Sequence, residues 1–180
     1  MSYAAASAGW NVFFVAVAAA SGTLVGLLFV GLSLHLQTVV TQPQVRALAR
    51  TTMSAFGVLL IAAICLVTPD SSPVTHGWEL IAFAVVGTVV LLRGTLVVRR
   101  PGGHHHAGVL PISIVVWRFG LLVVTYCLVA AAGGLLVAGD YQDGLPLMVP
   151  AAAIGLSVSL RNSWVLLVDV AEARLRSEQR

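Results

Sequence analysis

The chain has 180 residues, of which 58% are hydrophobic and 9% charged, with a formal net charge of +3 and a mean hydropathy of +0.95. Soluble domains carry about 25% charged residues, so there is too little charge here to coat a water-facing surface, and a soluble enzyme or a nucleic-acid-binding domain is all but excluded. Disorder is excluded for the opposite reason, because so apolar a chain gains by burying its surface. What remains is an integral membrane protein.

Crossing a hydrocarbon core about 30 Å thick takes roughly 20 apolar residues in helical form. Five segments qualify: 10–40, 52–67, 78–98, 112–138 and 145–169, with 170–180 as a tail. The second is the shortest, and Thr51 and Thr52 extend it at the interface. The first lacks a basic leader and is longer than a signal-peptide core, so it is expected to be retained as a span. Short connections and the absence of an internal repeat predict one compact all-α bundle of five transmembrane helices.

All ten basic residues are arginines, and they segregate. The connection 41–50 carries Arg46 and Arg50 and no acid, whereas 69–77 carries Asp70, with Glu79 just inside the next helix. The connection 99–110 has Arg99, Arg100 and three histidines, and 139–144 has only Asp140 and Asp143. Arg174, Arg176 and Arg180 lie in the tail. Basic and acidic connections alternate, and the positive-inside rule then puts the N-terminus outside and the C-terminus in the cytoplasm. A plasma (inner) membrane location follows, with the anionic inner leaflet as a partner. Trp10, Trp78 and Tyr141 at the outer boundary, and Trp117 and Trp164 at the inner one, suit an interfacial belt.

Small residues recur four apart in the first span, at Ala18, Gly22 and Gly26. Ala130–Gly134 and Ala151–Gly155–Ser159 repeat the interval in the last two. Such spacing lets helix backbones approach closely in lipid, so Gly22, Gly26, Gly134 and Gly155 are candidate packing positions, within the monomer or between copies. Ionisable groups within spans cost energy in lipid. Arg93, Arg118 and Arg161 fall within a turn or two of the cytoplasmic boundary, with His35 and Asn162 at similar depth. Two readings are open for this inner polar layer. The arginines reach the headgroups along their apolar stems, or they form a pocket whose planar guanidinium forks pair with an anion or phosphate. Asp169 is the one acid at that depth.

Glu79 opens a helix, where a carboxylate is favoured by the unpaired backbone N–H groups; its alternative is an outer cation or proton site with Asp70, Asp140 and Asp143. The run His104–His105–His106 lacks a carboxylate or cysteine to complete a metal shell, and reads as a solvated loop. Cys65 and Cys127 lie in apolar runs and pack as small hydrophobes. No nucleophile–base pair, phosphate loop, metalloprotease motif or carboxylate pair is present, so neither catalysis nor a cofactor is expected.

Two stretches carry a resemblance. Phe13–Phe14–Val15 followed by the run from Ser21 to His35, together with the run from Asn162 to Asp169, is similar to largely uncharacterised small multi-pass membrane proteins of actinobacteria and related bacteria. Some of these are labelled modulators of the membrane protease FtsH, which implies a regulatory role in a membrane complex. The residues point the same way, to a non-enzymatic accessory or regulatory component acting through helix packing, as a homo-oligomer or within a larger complex. The alternative is a homo-oligomeric channel or transporter for an anion or small solute, lined by His35, Arg93, Arg118 and Arg161.

Overall fold

The computed structural model describes residues 3–34, 43–68, 72–99 and 112–178, with side chains placed over 3–34, 46–68, 72–96, 119–166 and at 168. Every regular element among them is a helix: α1 Tyr3–Ser33, α2 Pro43–Val67, α3 Pro73–Arg99, α4 Ile112–Val137, α5 Tyr141–Gly144 and α6 Met148–Glu178. Five stretches are long and apolar enough to cross a membrane: Tyr3–Ser33, Arg46–Val67, Pro73–Leu96, Phe119–Val137 and Tyr141–Leu166.

The first three helices begin earlier than hydropathy alone places them. Ahead of residue 10, Ala4, Ala5, Ala6 and Ala8 add little to an apolar peak, but alanine is the best helix former, and α1 starts at Tyr3. Residues 35–40 of the first predicted span lie outside the described residues. The second helix starts at Pro43 instead of residue 52, because proline is pre-set for a first turn and the arginines that depress hydropathy at 46 and 50 are good helix formers. The third starts at Pro73, where Ser72 caps it: its Oγ accepts the backbone N–H of Thr75 at 3.1 Å, the usual N-cap arrangement.

The end of α4 is equally local in origin. Gly139 takes a φ of +86°, which glycine adopts without a Cβ penalty. Its N–H donates to the Leu136 carbonyl at 3.1 Å and that of Asp140 to Leu135 at 2.8 Å. This is a Schellman stop. The chain then turns through α5 into α6, which runs on to Glu178, well past the apolar stretch.

Successive long helices run antiparallel, and α2 is the hub. It packs against α1, α3 and α6, while α4 packs against α3 and α6. The helix that looks shortest in the sequence is therefore the one most enclosed, and small residues make this possible: Ala55, Ala62 and Ala63 are buried with Phe56 and Leu59. One core cluster joins Phe14, Ala62, Leu80, Val129 and Met148. A second, of Leu28, Leu32, Ala49, Phe56 and Leu166, fills the end where α1 and α6 finish and α2 begins.

Candidate functional site

The bundle has two chemically different ends. At the first, α2 begins and α1, α3 and α6 approach their C-termini. Arg46, Arg50, Arg93 and Arg161 all lie there, and all four side chains are exposed. Arg93 stands on α3 and Arg161 on α6, two helices that are not packing neighbours in this fold. Asn162, beside Arg161, is buried and engaged. His35, the His104–His106 run and Asp70 lie outside the described residues, as do the side chains of Arg118 and Asp169.

The predicted packing glycines divide in two. A Cβ added at Gly155 would sit 2.9 Å from both Leu59 and Thr125, so that glycine lets α2 and α4 meet α6. Gly22 faces Leu60 at an ordinary 3.8 Å, while Gly26 and Gly134 have nothing within 4 Å. The tightest approaches fall at glycines the four-residue interval does not single out. A Cβ at Gly77 or at Gly133 would lie 2.6 Å from the other's carbonyl oxygen, so α3 and α4 touch backbone to backbone. Gly87 accommodates the Tyr126 ring and Gly94 the Thr51 methyl, at 2.6 and 2.5 Å from such a Cβ.

The second end holds a polar cluster drawn from several elements. Tyr3, at the start of α1, has its Oη 2.6 Å from Nδ1 of His76 in the first turn of α3. The two rings lie 5.9 Å apart, and the Tyr141 ring of α5 meets Tyr3 edge-on at 5.6 Å. His76 is only 2% exposed. Its Nε2 is buried without a hydrogen-bond partner, and so is Oε2 of Glu79, one turn further along α3. Glu79 is within electrostatic reach of Tyr3 and His76 and accepts from the Cys65 thiol at the end of α2, while the Cys65 backbone carbonyl faces the His76 ring.

Sequence reading picked out Glu79 here but not Tyr3, His76 or Cys65. The i, i+3 spacing of His76 and Glu79, which puts both on one helix face, was the available signal. No group of three or more His, Cys, Asp or Glu side chains among the described residues is arranged to hold a metal ion. Further buried hydroxyls without partners, at Ser21, Thr52 and Ser159, lie deeper in the bundle.

No protein-family model matches the chain, and searches of curated proteins and of solved structures return no match either.

Proposed function

We propose that the chain is an integral membrane protein, N-terminus outside and C-terminus cytoplasmic, that acts without catalysis as an accessory or regulatory component of a membrane complex. The observation that supports this is the outward face of α1. Ala8, Val12, Ala16, Ala19, Thr23 and Gly26 lie along one side of the helix and are all exposed. Between Ala16 and Gly26 that side carries little bulk, with the exposed valines Val12 and Val30 beyond either end, and the Thr23 hydroxyl donates back to the Ala19 carbonyl at 2.8 Å, leaving its polarity satisfied within the helix. Bulky side chains are the ordinary lining toward lipid. A small-residue face lets a second backbone come close, which is how helices associate where no hydrophobic force drives them together. The reading makes α1 the docking helix and α2 to α6 its support, with the transmembrane helix of a partner protein as occupant.

A photo-crosslinking residue at Ala19, in cells expressing the chain at native level, should capture a second membrane protein. Gly26→Leu should abolish that capture and leave the bundle folded, since nothing lies within 4 Å of the added Cβ. Undiminished capture in Gly26→Leu removes the docking face, and a closed ring of identical chains with anion flux would favour the channel instead. Orientation is checked by cysteines: one at Asp140 should react with an impermeant reagent from outside the cell and one at Gly102 should not. The reverse pattern inverts the topology.

A further inference from the structure

We propose that Thr52 of α2 and Ser159 of α6 hold a bound water inside the bundle, within the packing that closes the arginine end. Both side chains are 0% exposed, and neither hydroxyl has a hydrogen-bond partner in the protein. The register of the two helices brings them together. Gly155 of α6 meets Leu59 of α2, and the helices run antiparallel. Asn162, seven residues beyond Gly155, is therefore level with Thr52, seven residues before Leu59. Ser159 lies three residues short of Asn162, about 4–5 Å from Thr52 along the axis. The faces agree as well. Thr52 is three residues from Ala49 and four from Phe56, and Ser159 is two turns before Leu166; Ala49, Phe56 and Leu166 belong to one packed cluster.

Other hydroxyls in the same bundle are satisfied within their own helix. Thr23, Thr88, Thr125 and Ser163 each donate to the carbonyl four residues back, at 2.8, 2.8, 3.0 and 2.9 Å. Thr52 is denied that bond, because the Leu48 carbonyl already accepts the Thr51 hydroxyl at 2.9 Å. A carbonyl has two lone pairs, and the helix takes the other. A buried hydroxyl without a partner is costly, and here two stand within a turn of each other. One water satisfies both, accepting from one hydroxyl and donating to the other, as buried waters with two to four polar partners do. Asn162, buried and engaged, lies level with the pair. The side chains three residues to either side of Thr52, Ala49 and Ala55, are single methyl groups. No carboxylate among the described side chains lies at this end, whereas Arg50 and Arg161 do, so a neutral ligand suits the site and a metal cation does not. The water thus ties the hub helix to α6. The site goes beyond the docking reading and does not involve the outward face of α1, so either can fail without the other.

The test is X-ray radiolytic labelling of the full chain in lipid nanodiscs, read by mass spectrometry in water enriched in oxygen-18. Radicals formed from a bound water oxidise the side chains beside it. Phe56, 0% exposed and one turn from Thr52, should be labelled, while Phe14, equally buried in the other cluster, should not. With Thr52→Val and Ser159→Ala combined, the Phe56 label should fall to the level of Phe14. Thermal unfolding gives a second readout. Thr52→Val keeps the shape of the side chain but takes one partner from the water, so the midpoint should fall by about 2–4 °C. A dry hydroxyl predicts the opposite, a rise on removing it. Ser159→Ala should lower the midpoint too, and the double variant by less than the sum, because both act on one water. An unlabelled Phe56 in the parent chain, a Phe14 label equal to it, a label undiminished in the double variant, or a midpoint unchanged or raised by Thr52→Val would each overturn the proposal. Labelling of the parent chain needs no variant, so a misfolded Thr52→Val leaves it decisive.

Discussion

The two ends of the bundle treat their polar groups in opposite ways. At the arginine end the charges point outward, and the buried polar side chains, Thr51, Thr52, Asn162 and Ser163, are uncharged and lie near the packed Leu28, Leu32, Ala49, Phe56 and Leu166. At the Tyr3 end the buried polar groups are ionisable, since His76 and one oxygen of Glu79 are buried, while Asp140 and Asp143 are exposed. Charges on the outside answer to the membrane and its potential. Polar groups on the inside are expensive, and a bundle that needed only to pack would have filled their places with apolar side chains. The difference separates charged side chains left on the outside from ionisable groups enclosed by packing.

The comparison can be broken at its strongest contact first. Gly133→Leu should push α3 off α4 at the polar end, costing about 3 kcal/mol or more, and the protein should lose its monodisperse peak in mild detergent. Recovery of a normal peak and thermal midpoint would show that the backbone contact at Gly77 is not needed to hold that end together. Tyr3→Phe keeps the ring and removes one hydrogen bond, so it should cost about 1 kcal/mol. Amide hydrogen exchange should then accelerate over the first turns of α1 while α2 is unchanged, and an unaltered exchange rate at those turns would make the Tyr3–His76 contact incidental. The smallest effect is expected at the other end. Arg93→Lys and Arg161→Lys should each stay within about 0.5 kcal/mol of the parent chain, because an exposed side chain that reaches headgroups needs a stem and a charge, not a planar fork. Loss of a bound lipid or of anion flux in either variant, at equal expression, would restore an arginine pocket built between chains.

Much of the architecture was legible before any coordinates. The number of apolar helices, their order and the separation of arginines from acids are properties of short stretches, readable because hydropathy and charge need no knowledge of neighbours. Helix starts were less so. Pro43 and Ser72–Pro73 are local signals, but they lie outside the apolar peaks, and a rule that counts hydropathy passes over them. Candidate glycines were read by spacing, and spacing does not say which side of a helix another helix occupies: Gly155 is enclosed while Gly26 and Gly134 are open.

That last gap has a physical cause that also governs the polar site. In a soluble bundle the buried face announces itself by being more apolar than the exposed one. In a membrane bundle lipid and core are equally apolar, so the pattern along α1 or α3 carries no such contrast. By itself the sequence determined that there are five apolar helices and which of their ends share a sign of charge. Only the tertiary structure decided that α2 is the hub, that α3 and α4 touch through Gly77 and Gly133, and that Tyr3 meets His76 across 73 positions of chain. A phenol, an imidazole, a carboxylate and a thiol from three helices become one site only when packing brings them together, and no local residue pattern encodes that packing.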